Sequence, residues 1–176
     1  MPKIIEGAKE AILKNAKQRL FEKGYLHLSL REVAKLSGIA TGTIYNYFEN
    51  KDSLIASIMS EDWDVALEEM DRCVESATDV VEGMEGLIAA IVKFREIYEV
   101  IWEQPAANVA FVKRRHEHGA IRKQIAERVD KLFDRLAYGH GKRYSQLLAE
   151  LILEASGEEE LKESLLHAVK YVREVH

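Results

Sequence analysis

The sequence is poor in the residues on which several protein classes depend. Its 176 residues include one cysteine, Cys73, and two prolines. A single cysteine cannot form an internal disulfide or hold a structural zinc ion alone, and so few prolines exclude collagen-like or proline-rich extended structure. No apolar run approaches the roughly 18 residues of a transmembrane helix, and the N-terminus lacks the apolar core of a signal peptide. We therefore expect a cytoplasmic protein with no membrane segment.

What is present is an ordinary globular composition with an uneven charge. Hydrophobic residues make up 47% of the chain and charged residues 31%, which is too apolar for intrinsic disorder. Residues 1–55 contain nine Lys or Arg and six Asp or Glu, a net charge of +3, while the remainder carries −8. A basic segment on an acidic body is typical of a protein whose basic part alone contacts a polyanion, although such an excess also arises by chance.

Helical periodicity dominates the chain, and no stretch shows sustained strand alternation. Apolar residues recur at threes and fours from Ile5 to Leu20, and Gly24 is a stop signal. Ser29 followed by Glu32 predicts a capping box for a short second helix. The sequence predicts an all-α fold of about nine helices. After a short third helix from Thr41, the predicted helices cover residues 51–74 with an N-cap at Asn50, then 80–103, 106–116, 120–138, 142–155 and 158–175.

Residues 30–48 form two short predicted helices joined by a turn. Ala34 is a small residue where two helices cross, Gly38 lies in the turn, and Ile44 is an apolar residue on the second helix. This spacing is typical of a helix-turn-helix, whose second helix lies in the DNA major groove. Many helical hairpins share the pattern, so it needs further support.

A longer motif supplies that support. The chain reads F-E-K-G-Y at residues 21–25, S-L-R-E-V-A at 29–34 and G-I-A-T-G-T-I-Y-N-Y-F-E-N-K-D-S-L-I at 38–55. These segments strongly resemble the TetR/AcrR family of bacterial and archaeal transcriptional regulators. The resemblance implies a helix-turn-helix DNA-binding domain over residues 1–50 and a ligand-binding and dimerisation domain over residues 51–176. The chain departs from the common pattern at His27 and Leu28 and in being short.

The resemblance also assigns DNA contacts. Backbone N–H groups near Ser29 would meet a phosphate, Arg31 a guanine edge or a phosphate, and Lys51 a phosphate as a point charge. Asn46 either pairs with adenine or faces solvent. Tyr45 and Tyr47 are either contacts to the DNA backbone or packing aromatics. The complete expected DNA-binding set is Ser29, Arg31, Thr41, Gly42, Thr43, Tyr45, Asn46, Tyr47 and Lys51.

Two further sets lie in the acidic remainder. Aromatic residues that step by four along one helix face suit either a packed seam or the wall of an apolar ligand site. The candidate ligand-binding residues are Trp63, Met70, Phe94, Tyr98, Trp102 and Phe111. The two last helices either complete the core of a monomer or, as the resemblance implies, form half of a four-helix homodimer interface. Their candidate interface residues are Leu147, Leu148, Leu151, Ile152, Leu161, Leu165, Val169 and Val172.

The resemblance implies a ligand-responsive transcriptional regulator, in this family most often a repressor, that a small lipophilic effector releases from a palindromic double-stranded DNA operator. We expect no enzymatic activity, cofactor or metal. Two alternatives remain open. One is a helical metal-dependent hydrolase that uses His116, Glu117, His118 and His140, although no known catalytic motif accompanies them. The other is a protein-interaction module whose helix-turn-helix does not bind DNA.

Overall fold

The computed structural model describes residues 7–102, 118–138 and 141–174. All regular secondary structure within these ranges is helical, which confirms the predicted all-α class. The elements are α1 (Ala8–Lys23), α2 (Leu30–Leu36), α3 (Thr41–Ile44), α4 (Lys51–Ser76), α5 (Val80–Trp102), α6 (His118–Arg135), a 3₁₀ turn (Gly141–Tyr144), α7 (Ser145–Ala155) and α8 (Glu159–Glu174). The helix predicted over residues 106–116 lies outside the described residues.

The chain forms two compact units, to which α4 and α5 both contribute. The described part of the first unit is residues 7–63 and 98–102, and that of the second unit is residues 64–97, 118–138 and 141–174. The predicted division into functional domains after residue 50 stays a prediction.

Apolar side chains from the first four helices form the core of the first unit. On α1 the buried residues recur at threes and fours, as the periodicity predicted, and each large one contributes about 1.5–3 kcal/mol on burial. Ala34 is fully buried, which fits its predicted place where helices cross closely. The other fully or almost fully buried residues of this core are Ile12, Ala16, Leu20, Val33, Ile44, Leu54, Ile55 and Ile58.

Two of the predicted helix boundaries rest on observed hydrogen bonds. Gly24 ends α1 with a φ of 80°, and its N–H donates to the carbonyl oxygen of Leu20 at 2.9 Å. Asn50 caps α4, because its Oδ1 accepts the N–H of Ser53 at 2.9 Å while the N–H of Asn50 donates to the Ser53 hydroxyl at 3.2 Å. This reciprocal pair satisfies backbone groups that a helix start leaves without partners.

The capping box predicted at Ser29 is wrong. Ser29 has the extended backbone of an N-cap residue, but its side chain makes no capping hydrogen bond. Glu32 is engaged by α1 instead: its carboxylate accepts Lys23 Nζ at 3.1 Å and lies 3.3 Å from Arg19 Nε. The full charges of Lys23 and Arg19 attract the carboxylate more strongly than the partial charge of a backbone N–H does, so the two cations draw Glu32 away from the helix start.

The second unit has an apolar core, and Arg128 is the one cation that is buried among its described residues. Its large core residues are Met70, Met84, Leu87, Ile88, Ile91, Val129, Leu132 and Ile152. Arg128, only 9% exposed, donates to Asp71 Oδ2 at 2.6 Å and to the carbonyl oxygen of Leu67 at 3.3 Å. Pairing of this kind is required because an unpaired buried charge is strongly destabilising.

Two boundaries in the second unit differ by three residues from those predicted. α6 ends at Arg135 rather than at residue 138, because Ala137 has a left-handed backbone (φ 57°) and the N–H of Tyr138 donates to the carbonyl oxygen of Phe133 at 2.7 Å. Such a closure ends a helix by satisfying its last carbonyls. α7 begins at Ser145, preceded by the 3₁₀ turn, rather than at residue 142.

Candidate nucleic-acid interface

The turn between α2 and α3 is closed by backbone hydrogen bonds around Gly38. Gly38 has a φ of 68°, a left-handed conformation that glycine adopts without steric cost. The N–H of Ile39 donates to the carbonyl oxygen of Ala34 at 3.0 Å, and the N–H of Gly38 to that of Lys35 at 3.2 Å. The motif therefore has the tight, glycine-centred turn that the sequence pattern predicted.

Side-chain hydrogen bonds hold this turn against α1. Asn15 Nδ2 on α1 donates to the Ser37 hydroxyl oxygen at 3.1 Å, and that hydroxyl donates to the carbonyl oxygen of Ala11 at 3.4 Å. The end of α2, and with it the start of α3, is thus fixed on a longer helix. A rigid support is what a recognition element needs to keep its side chains in register with a partner.

The segment from Thr41 to Phe48 has a buried side and an exposed side. α3 itself is a single turn, and the N–H of Phe48 still donates to the carbonyl oxygen of Ile44 at 3.0 Å. Ile44 and Phe48 are buried, as core residues of the first unit. Of the predicted DNA-binding residues in this segment, Thr41, Gly42, Tyr45 and Asn46 are exposed and Thr43 and Tyr47 are half-buried.

The exposed side is polar and uncharged. Residues 38–48 contain no Asp, Glu, Lys or Arg. The Tyr45 side chain is 52% exposed, so it is not a packing residue of the first unit. A methyl group added at Gly42 would meet no heavy atom within 4 Å, so the outer face of α3 is open there. Hydroxyl, amide and backbone groups of this kind hydrogen-bond to phosphates and to base edges.

Lys51, at the start of α4, is held by the loop between α1 and α2. Its Nζ donates to the carbonyl oxygen of Tyr25 at 2.8 Å and lies 4.0 Å from the centroid of the Tyr25 ring. The Tyr25 hydroxyl donates to Asp52 Oδ1 at 2.6 Å. Burial, together with this bond to Asp52, raises the pKa of Tyr25 to about 12, while burial lowers the pKa of Lys51. Sequence reasoning missed this cluster, because its members lie 26 residues apart.

The two predicted residues on the α2 side are both on the surface. Ser29 and Arg31 are exposed at the start of α2. The structure therefore places six of the nine predicted DNA-binding residues on the surface, in residues 29–31 and 41–46. Thr43 and Tyr47 are half-buried, and so is Lys51 at the start of α4.

The predicted ligand-binding residues are distributed over both units. Trp63 and Tyr98 are buried in the first unit, and Met70 (buried) and Phe94 (half-buried) belong to the second. The side chain of Trp102 and all of Phe111 lie outside the described residues. A cleft of about 270 Å³ in the second unit has none of the six candidates in its lining, which consists of Asp79, Val81, Glu82, Glu85 and Lys170.

Tyr98 takes part in a polar network that sequence reasoning did not predict. Its hydroxyl donates to Asp62 Oδ2 on α4 at 2.5 Å, and the other oxygen of Asp62 forms an ion pair with Lys17 on α1. The Tyr98 ring also lies 5.8 Å from that of Phe21, centroid to centroid. One carboxylate therefore joins three helices within the first unit.

The predicted dimer residues divide by exposure. Ile152 is fully buried and Leu165 is 7% exposed, so both belong to the core of the single chain. Leu147 is 58% exposed, and Leu148, Leu151, Leu161 and Val169 are half-buried. The side chain of Val172 lies outside the described residues. Apolar side chains on α7 and α8 therefore extend beyond those that the core of the single chain buries.

The side chains of the hydrolase alternative are not described by the structure. His116, Glu117 and His140, and the side chain of His118, lie outside the described residues. Within residues 7–102, 118–138 and 141–174 no group of three or more His, Cys, Asp or Glu side chains is placed to hold a metal ion. Of the helices in these ranges, none is sufficiently long and apolar to cross a membrane.

Comparison with known proteins identifies the helix-turn-helix unit. A model of the bacterial regulatory proteins of the tetR family matches residues 12–58, which include most of α1, all of α2 and α3, and the start of α4. The chain therefore contains a TetR-family segment at residues 12–58. Its match to HbdR, an HTH-type transcriptional regulator of Aromatoleum sp. (strain CIB), has 30% identity over 83 residues, 47% of this chain and 36% of HbdR. The chain spans about a third to a half of the length of the curated relatives it matches.

Solved structures of TetR-like proteins share the fold over nearly the whole chain. The regulator FadR from Bacillus subtilis, solved with stearoyl-CoA, aligns with a TM-score of 0.54 and 17% identity over 94% of this chain and 96% of FadR. RolR, solved with resorcinol, aligns with a TM-score of 0.59 and 16% identity over 93% of this chain and 85% of RolR. At these identities the comparison establishes the fold alone.

Proposed function

We propose that this TetR-family protein is a ligand-responsive transcriptional repressor that acts in the cytoplasm as a homodimer on a palindromic double-stranded DNA operator. The observation that carries the proposal is the exposed, uncharged and polar side of residues 41–46, which follow a turn that is hydrogen-bonded to α1. That side supplies hydrogen-bonding groups for the major groove, and α1 holds it in place. The same positions are those that the family resemblance assigns to DNA contact.

The solved structures with a similar fold support a small-molecule effector, but they do not identify it for this chain. Two of them were solved with ligands, FadR with stearoyl-CoA, a long acyl thioester, and RolR with resorcinol, a small aromatic diol. We propose a partly apolar effector, with Trp63, Met70, Phe94, Tyr98, Trp102 and Phe111 as its candidate contacts. Because the hydroxyl of Tyr98 is already bonded to Asp62, an effector would contact the ring of Tyr98 rather than its hydroxyl.

The relatives that the comparisons name are transcriptional regulators, which supports a protein without enzymatic activity. Selection of duplexes from a random-sequence library by the purified protein, followed by gel-shift titration at several salt concentrations, tests the proposal. A DNA-binding regulator enriches a near-palindrome and loses affinity steeply as salt rises. A metal-dependent hydrolase or a protein-interaction module would enrich no sequence.

Tyr45→Ala tests the DNA-binding side directly. Because Tyr45 is 52% exposed, we expect its loss to weaken binding of the selected duplex about tenfold to a hundredfold without lowering the melting temperature. Tyr45→Phe, which keeps the ring, separates the role of the hydroxyl from that of the ring. Unchanged duplex affinity in Tyr45→Ala would remove Tyr45 from the proposed interface.

Leu147→Glu tests the proposed dimer. In the single chain Leu147 is 58% exposed, so a charge there is tolerated in a monomer but is unfavourable in an apolar interface. We expect sedimentation velocity to show dissociation of the dimer with the helical circular-dichroism signal retained. The matched control is Val65→Glu on α4, where the replaced side chain is 59% exposed and lies outside the proposed interface. Equal dimer stability in both variants would place the interface elsewhere.

A further inference from the structure

The basic residues at the start of the chain divide into two groups by their partners. Lys17 pairs with Asp62, Arg19 and Lys23 pair with Glu32, and Lys51 donates to the carbonyl oxygen of Tyr25. The remaining described cations up to residue 55 are Lys9, Lys14, Arg31 and Lys35. These four have neither an ion pair nor a side-chain hydrogen bond within the part of the chain that the structure describes. Their charges are available to an external anion.

The helix-turn-helix needs such cations from outside α3. Residues 38–48 carry no charged side chain, so α3 and its extension cannot neutralise phosphates. Affinity for duplex DNA depends strongly on cations that displace counterions from phosphates. In a helix-turn-helix the first helix crosses the sugar-phosphate backbone while the second enters the groove, and here the first helix is α2.

Arg31 and Lys35 are positioned on α2 for this role. They lie four residues apart, on one helix face and about 6 Å apart along the axis, and both are exposed. Val33 and Ala34 bury a different side of α2 in the core, and Glu32 is turned towards α1 by its bonds to Lys23 and Arg19. No acidic side chain of α2 therefore competes for the two cations.

We propose that Arg31 and Lys35 form a phosphate clamp on α2 that anchors the helix-turn-helix to the DNA backbone. Lys35 thereby becomes a DNA-contacting residue that neither the sequence pattern nor the family motif singled out. The proposal rests on the proposed function and makes it more specific. Arg31 is assigned to a phosphate rather than to a guanine edge, so the clamp contributes affinity on any sequence and base selection is left to the α3 segment.

The test is the salt dependence of binding to the duplex that the wild-type protein selects, and to a scrambled duplex of equal length. We expect Lys35→Gln and Arg31→Gln each to reduce the slope of log affinity against log salt by about 0.9 for each helix-turn-helix that binds the DNA. For a dimer with both helix-turn-helices bound, the reduction is about 1.8. Both duplexes lose affinity by the same factor, because phosphate contacts do not read sequence. The control variant Lys35→Arg should retain the wild-type slope, because it keeps the positive charge at position 35.

Lys123→Gln is the control for net charge, because Lys123 is an exposed lysine on α6 in the second unit. It should leave the slope unchanged, and Lys35→Gln should melt at the wild-type temperature. An unchanged slope in Lys35→Gln would overturn the clamp while DNA binding by the wild type still stands. A loss in Arg31→Gln confined to the selected duplex would also overturn it, in favour of a guanine contact. If the wild type selects no duplex from the random-sequence library, the proposed function itself fails, and the clamp with it.

Discussion

Asp62→Ala is expected to lower the free energy of unfolding by about 2–4 kcal/mol. The carboxylate accepts the Tyr98 hydroxyl at 2.5 Å and forms an ion pair with Lys17, so α1, α4 and α5 all depend on it. Tyr98 is fully buried, and burial raises the pKa of its hydroxyl, which stays neutral and donates throughout the physiological range. Loss of a hydrogen bond to a charged acceptor accounts for about 1.5–3 kcal/mol, and the half-exposed Lys17 pair adds about 1 kcal/mol at most.

Thermal unfolding followed by circular dichroism measures this effect, with an expected fall of roughly 5–15 °C for a chain of this size. Tyr98→Phe is the matched variant, because it removes only the hydroxyl and keeps the ring beside Phe21. In the Tyr98→Phe background, Asp62→Ala should cost distinctly less than in the wild type, since the main bond is already absent. Equal costs in the two backgrounds would show that Asp62 stabilises the first unit by some other interaction.

Local signals explain why much of the helix-turn-helix could be predicted from the sequence. The cap at Asn50 and the stops at Gly24 and Gly38 act over three to five residues, and each appears in the structure as predicted. Apolar spacing likewise identified the buried face of α1. The failure at Ser29 and Glu32 has the opposite cause. The local motif was present, but the full charges of two cations from α1 engage the carboxylate instead.

The side-chain interactions that join the helices of the first unit connect residues far apart in the sequence. Lys17 and Asp62 are 45 residues apart, and Tyr98 lies 36 residues beyond Asp62. Periodicity marked Tyr98 as an inward aromatic residue, which is correct, but it carries no information about the acceptor of its hydroxyl. The same limit applies to Lys51, where the pattern predicted a charge at the start of α4 and the fold supplied Tyr25 as its partner.

A second large effect is expected where α4 and α5 approach each other closely in the second unit. A methyl group built on Gly86 of α5 would lie 2.6 Å from Cβ and 2.8 Å from Sγ of Cys73 on α4. Rotation of the Cys73 side chain moves Sγ but cannot move Cβ, which is fixed to the helix backbone. An alanine at this position therefore requires the two helices to separate.

We expect Gly86→Ala to destabilise the protein by about 1–3 kcal/mol, the usual cost of overpacking a core, despite the higher helix propensity of alanine. Gly119→Ala on α6 is the control, because a methyl group there meets no heavy atom within 4 Å. Its melting temperature should stay level or rise slightly, as expected from propensity alone.

Removal of the Cys73 side chain should reverse the defect, which distinguishes a steric cause from a general loss of packing. In the double variant Gly86→Ala, Cys73→Gly, the nearest of the atoms now in contact is the Cys73 Cα at 3.8 Å, an ordinary van der Waals distance. Cys73→Gly alone loses stability through its own glycine, so the comparison is a double-mutant cycle in urea. A Gly86→Ala penalty of the same size in both backgrounds would mean that the close approach to Cys73 is not what excludes a side chain from position 86.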